Sequence, residues 1–142
     1  MRFMILRKAD KNTEGGTPPS KALLEAMGKY MEEMGQAGVL QSAEGLQASS
    51  RGFRIKFSKG KPALTAGPFP EAKESIAGFC IIQAKSKEEA LDWAKRWPAI
   101  DADGEVELEV RQIHEAEDFG ADFTPELRER EQKLRDKIAG KR

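Results

Sequence analysis

The groups best suited to chemistry gather after a proline-stiffened turn. Gly67-Pro68-Phe69-Pro70 leads into Glu71, Lys73 and Glu74, so a rigid loop projects two carboxylates and an ammonium. Such a loop can bind or protonate a polar ligand, or can be a structural turn whose charges pair among themselves. Glu71 and Glu74 are the acid–base candidates. Lys73, with Phe69 of the same loop, is a ligand-binding candidate. Arg111 is a third. It follows Val106, Leu108 and Val110, which alternate with Glu105, Glu107 and Glu109. Alternation turns Arg111 away from the valine face, where a guanidinium suits an anion or pairs with Glu107 or Glu109. His114 is the one imidazole, a candidate general base or an ordinary surface histidine. Cys80 lies in the most apolar segment and reads as an inert buried thiol. One histidine and one cysteine cannot build a zinc site, and no phosphate-binding glycine loop is present. No metal or cofactor is therefore expected.

Composition narrows the setting. The 142 residues fit one domain, 39% hydrophobic and 34% charged, with a formal net charge of zero. With a single cysteine there is no internal disulfide. The apolar run at the N-terminus is too short for a signal core or a membrane span, so a cytoplasmic protein is expected. The neutral total hides local bias. Residues 46–70 hold Arg51, Arg54, Lys56, Lys59 and Lys61 and no acid. That basic stretch can attract an anion or an acidic protein, or merely protect an edge strand. Arg51-Gly52-Phe53 begins like an RNA-recognition signature. Arg54, Ile55 and Lys56 then replace the positions needed for base stacking, which argues against nucleic acid.

The elements that must hold these groups follow from periodicity. Phe3 to Leu6 is a continuous apolar run, expected as a strand covered on both faces. Lys8 to Pro19 reads as loop. Ser20 opens a helix whose stripe is Leu23, Leu24, Met27, Tyr30, Met31 and Met34, with Gly28 at its edge suggesting close packing. Phe53, Ile55 and Phe57 alternate with basic residues, predicting a half-buried strand that returns through Ser58-Lys59-Gly60 to an edge strand at Pro62–Thr65. Ile76–Ala84 should be a central strand. Ser86 with Glu89 predicts a capping box, followed by Ala90, Leu91, Ala94 and Trp97 and a stop at Pro98. Val106 to Arg111 is the last strand. Thr124-Pro125 opens a final helix with three acid-before-base pairs four residues apart.

That order predicts an α+β fold: a ferredoxin-like βαββαβ core with an extra hairpin strand and a C-terminal helix. Two apolar sheet faces and only two covering helices predict a homodimer packed sheet to sheet.

The stretch Ala66-Gly67-Pro68-Phe69-Pro70-Glu71-Ala72-Lys73-Glu74 resembles the signature Asp-Gly-Pro-Phe-Ala-Glu-Thr-Lys-Glu of the YCII-related, or DGPF, family. Similarity continues through Gly38–Leu46, Ala90–Ala94, Val106–Arg111 and Glu115–Leu127. The resemblance implies a dimeric α/β-barrel type of domain, spanning residues 1–119, with a helical extension at 120–142. It also implies a cleft between sheet and loops. No activity is agreed for the family. Distant relatives act on chlorinated or hydroxylated aromatic-derived molecules, and some members are encoded beside extracytoplasmic-function sigma factors. The expected function is accordingly a dimeric small-molecule-binding domain, a weak or lost enzyme, taking a small anionic or hydroxylated aromatic-type metabolite. The alternative is an interaction module linked to a sigma factor. Ala66 stands in place of the signature aspartate, and the His–Asp pair suspected as catalytic in the wider superfamily has no match here.

Overall fold

The computed structural model describes residues 1–140. Strands β1 (Arg2–Lys8), β2 (Leu40–Gly45), β5 (Ile76–Gln83) and β6 (Leu108–Gln112) form one antiparallel sheet in the order β2-β5-β1-β6. Strands β3 (Phe53–Ser58) and β4 (Lys61–Ala66) form a separate two-stranded hairpin. The helices are α1 (Lys11–Glu14), α2 (Lys21–Gln36), α3 (Lys87–Lys95) and α4 (Pro125–Gly140). Two compact units result: Met1–Gln112, which contains the sheet, and a second starting at Ile113, which contains α4. The protein is thus a mixed α and antiparallel β structure. Among the described residues no helix is long and apolar enough to cross a membrane.

Register decides which residues form the core. Phe3 faces Ile82, Ile5 faces Cys80 and Arg7 faces Gly78, and all six are buried. Directly opposed residues share a sheet face, so this is the helix-covered side. Tyr30 and Met34 of α2 and Ala90 and Ala94 of α3 pack in the same cluster. The Tyr30 hydroxyl donates to the Trp93 carbonyl at 2.6 Å, and the Arg96 guanidinium pairs with Glu33 at 2.6 Å, tying α2 to α3. The opposite face carries Met4, Leu6, Phe79 and Ile81, all half-buried. In β1 the apolar run therefore divides by alternation into a buried set and a half-covered set.

Several expectations are corrected. The strand predicted at Phe53–Phe57 is not half-buried. Every residue of both hairpin strands is exposed, and the hairpin adds no strand to the main sheet. The sheet position goes instead to β2, whose sequence Leu-Gln-Ser-Ala-Glu-Gly has weak strand character and is held by pairing with β5. The segment after β1 is not all loop: Asp10 caps α1 by accepting from the Thr13 N–H at 2.9 Å, while the Thr13 hydroxyl accepts from the Asp10 N–H at 2.8 Å. The last strand begins at Leu108 rather than Val106. Leu24 is exposed, and a side chain at Gly28 would meet open space, so no neighbour packs there. Ser86 does cap α3 through the Glu89 N–H at 3.1 Å, but the Glu89 carboxylate reaches the Lys85 N–H rather than that of Ser86. Helix α2 ends at Gln36, and Gly38 just beyond it takes φ +74°, a left-handed conformation suited to glycine.

Candidate functional site

Beneath α2, on the helix-covered side of the sheet, lies a cavity of about 850 Å³. Its walls come from the α1 segment and the loop Gly16–Ser20, from α2 (Leu23, Met27, Met31), from the end of β2 and the segment to Arg51, and from Trp97 and Ile100–Asp103. All of these belong to the first unit.

Arg7 and Asp101 border this cavity. Arg7 is 8% exposed and Asp101 3%, a buried ion pair. Arg7 Nη2 donates to Asp101 Oδ1 at 2.7 Å and Nε to Oδ2 at 3.1 Å, the bidentate fork that matches guanidinium to carboxylate. Arg7 Nη1 donates to the Lys8 carbonyl at 2.9 Å and to Asp10 Oδ2 at 3.1 Å. The Trp97 indole N–H donates to Asp101 Oδ2 at 2.9 Å. A charge this deep is tolerated only when paired and hydrogen-bonded, and among the described residues no buried side-chain polar atom lacks a partner.

Local backbone geometry aims these groups. The Trp97-Pro98 stop ends α3, and the Asp101 N–H donates to the Pro98 carbonyl at 3.1 Å. Ala102 and Asp103 then take φ +52° and +54°, left-handed values that are unfavourable for alanine. The cost falls where the chain must turn sharply after directing Asp101 into the interior.

Electrostatics follow from this burial. Desolvation pushes the Asp101 carboxyl up. The hydrogen bonds from Arg7 and Trp97, with the guanidinium charge, outweigh it and hold Asp101 below the ordinary carboxylate range. For Asp10 desolvation again acts upward, and the Thr13 N–H and Arg7 bring the net shift downward. The hydrogen bond to Asp101 raises Arg7 against the desolvation that lowers it. Burial pushes the Cys80 thiol up to about 11. Asp10 and Asp101 are therefore ionised near neutrality and Arg7 is charged, so this trio is fixed in charge.

A second network pins the proline loop. The Ser49 hydroxyl donates to Glu14 Oε2, the Ser49 N–H donates to Glu14 Oε1 at 3.0 Å, and the Phe69 N–H donates to Ser49 Oγ at 3.0 Å. The Gly67 N–H donates to the Gly52 carbonyl at 2.9 Å. A Cβ at Gly67 would come within 1.8 Å of the Ser49 carbonyl oxygen, so only glycine fits. The Arg54 guanidinium lies over the Phe69 ring at 3.9 Å.

The residues singled out from sequence stand elsewhere. Glu71, Lys73 and Glu74 are exposed around a short 3₁₀ turn, and Phe69 is half-buried under Arg54. Arg111 is exposed on the face opposite the helices, opposite Met4, and 3.8 Å from Glu109. His114 is exposed and belongs to the second unit, where its ring meets Phe119 at a centroid distance of 4.9 Å. None of the six lines the cavity. The residues that do border it and carry charge inside, Arg7, Asp10 and Asp101, were not singled out. One signal was legible: Arg7 follows Phe3 and Ile5 at the spacing that shares a strand face.

The sequence profile of the YCII-related domain family matches residues 1–116. An uncharacterised protein of Rhizobium meliloti (strain 1021) is 36% identical over 67 residues, covering 47% of this chain and 51% of that protein. The chain thus spans about half the length of the curated relative it matches. Among solved structures, 5-chloro-2-hydroxyhydroquinone dehydrochlorinase from Burkholderia phenoliruptrix AC1100, in complex with 2,5-dihydroxybenzoquinone, is similar at TM-score 0.43 and 16% identity, over 80% of this chain and 94% of that one.

Proposed function

We propose, on the premise that this chain belongs to the YCII-related domain family, that it binds a small molecule in the cavity beneath α2. The observation that carries this reading is the cavity itself. At about 850 Å³ it falls within the roughly 300–1,000 Å³ of small-molecule sites. Its apolar walls, Leu23, Met27, Met31 and Ile100, stand beside a few converging polar groups. Arg7, Asp10 and Asp101 together carry one net negative charge, and four of the five Arg7 N–H groups are already committed to protein acceptors. An uncharged, hydrogen-bonding ligand with an apolar body suits this interior better than an anion. The anionic ligand expected at Lys73 and Arg111 concerns other surfaces. Asp10 and Asp101 are held ionised, which favours binding over proton transfer as the work of the site.

The ferredoxin-like reading has the strand order on its side: β1-α2-β2 and β5-α3-β6 interleave as two antiparallel βαβ units. The half-buried Met4, Leu6, Phe79 and Ile81 favour a second copy packed on the open sheet face. The interaction-module alternative has the exposed hairpin as its one supporting observation.

A thermal-shift screen of small neutral, cationic and anionic aromatics, with the Trp97 indole N–H followed by NMR, tests the proposal. A binder should raise Tm with concentration, move the Trp97 resonance, and lose its effect in Ala48→Trp while keeping it in Lys73→Ala. Binders lost in Lys73→Ala and kept in Ala48→Trp would reject the cavity as the site.

A further inference from the structure

The β3–β4 hairpin sorts its side chains by face. Phe53 faces Ala66, Ile55 faces Leu64 and Phe57 faces Pro62, which puts six apolar residues on one side. Arg54 faces Thr65, Lys56 faces Ala63 and Ser58 faces Lys61 on the other. Lys59 stands at the tip, where Lys59 and Gly60 take φ +52° and +78°, the pair of left-handed residues that a tight hairpin turn requires. Residues 46–70 hold no acid. One side of the ribbon is thus uncharged and apolar, and the other is cationic.

Phe53, Ile55, Phe57 and Leu64 are 65%, 59%, 65% and 66% exposed. That leaves on the order of 500 Å² of apolar surface in water, a size at which a patch marks an interaction site. The base of the hairpin is tied down. The Gly67 N–H donates to the Gly52 carbonyl at 2.9 Å, and the Arg54 guanidinium lies 3.9 Å from the centre of the Phe69 ring.

The opposed faces identify the occupant. A folded partner that covers the apolar side leaves Lys56 and Lys61 on the far side of the ribbon, so one contact cannot use both. The same holds for a second copy of this chain. A bilayer interface meets both sides at once. An amphipathic element lies in it with its apolar face about 5–10 Å into the boundary of headgroups and acyl chains, and its polar face sits among the phosphates. A β-ribbon with its side chains is about 10 Å thick, the spacing of stacked sheets, which matches that depth. Lysine stems are long enough to carry their ammonium groups to phosphate level.

We infer that the hairpin docks flat on an anionic phospholipid surface, with Phe53, Ile55, Phe57 and Leu64 among the upper acyl chains and Lys56, Lys59 and Lys61 at the phosphates. Such a contact needs no spanning segment. The chain has a formal net charge of zero, so the attraction comes from this local excess of base. Binding therefore depends on the negative charge of the lipid and falls as salt is raised.

Flotation of the full chain with vesicles tests the contact, using phosphatidylcholine alone or mixed with phosphatidylserine. Binding is expected to the mixed vesicles and should weaken with salt. Lys56→Gln/Lys61→Gln should weaken it by about twentyfold, at roughly fivefold for each base near the surface. Phe53→Ser/Phe57→Ser should abolish it. All four positions are exposed, and circular dichroism checks that both variants fold. In Phe57→Trp, the added emission should be quenched by lipids brominated high on the acyl chains. Binding that survives Phe53→Ser/Phe57→Ser unchanged, or that ignores the lysine replacements, overturns the inference. So does a parent chain that stays unbound at millimolar phosphatidylserine and low salt. If Phe53→Ser/Phe57→Ser then lowers the sedimentation coefficient, the apolar face belongs to a second copy instead.

Discussion

Replacing Asp101 by Asn removes the charge that balances Arg7 and little else, since the two side chains have nearly the same shape. Asp101 accepts three hydrogen bonds, from Arg7 Nη2, Arg7 Nε and the Trp97 indole. The amide keeps one acceptor oxygen and turns an NH2 group toward a guanidinium, donor against donor. Arg7 is left with Asp10, whose side chain is 34% exposed, as its remaining anion. Removing one member of a buried pair costs about 3–5 kcal/mol, because the other stays buried and charged. The lower end, about 3 kcal/mol, is expected here because Asp10 persists. That is a large part of the roughly 5–15 kcal/mol that stabilises a domain, and corresponds to a drop of about 10 °C in Tm. Urea unfolding followed by tryptophan fluorescence, at one fixed protein concentration, measures it as a lower midpoint at unchanged slope. The Arg7→Met/Asp101→Asn double variant should recover part of the loss, since the uncompensated guanidinium is then gone. A single-variant loss under about 1 kcal/mol, the range of exposed pairs, would refute the claim that this pair is buried and bears on stability.

Asp10 and Asp101 have folded pKa values below their unfolded ones, so their contribution is complete above the unfolded value near 4 and is lost as pH falls through the folded values. Stability should therefore decline below about pH 4, and less steeply in Asp101→Asn, as thermal unfolding across a pH series would record. Gly67→Ala should cost about 1–3 kcal/mol, or displace the loop, because its Cβ would meet the Ser49 carbonyl. Amide exchange at Phe69 N–H, which bonds Ser49, should quicken in the same variant. The Cys80 thiol, fully buried with its pKa pushed up to about 11, should resist a thiol reagent at pH 8 in the folded protein and react fully in denaturant. Fast labelling of the folded chain would mean that β5 opens.

Local physics wrote much of the fold into the sequence. The stripe Met27, Tyr30, Met31 and Met34, the Ser20 and Ser86 caps, the Pro98 stop and the apolar run at Ile76 each depend on near neighbours, and the helices and the central strand formed where these signals lay. The signature around Gly67-Pro68-Phe69 was enough to identify the family. Tertiary structure decided what local pattern could not. Alternation at Phe53, Ile55 and Phe57 marks an apolar face, but says nothing of what covers it, and among the described residues nothing does. Leu40–Gly45 is a strand because β5 offers it hydrogen bonds, a partner about 40 residues away in sequence. The charged site was hidden for the same reason. Arg7 and Asp101 are 94 residues apart, each is an ordinary surface residue by type, and only the fold removes both from water and makes their pairing obligatory.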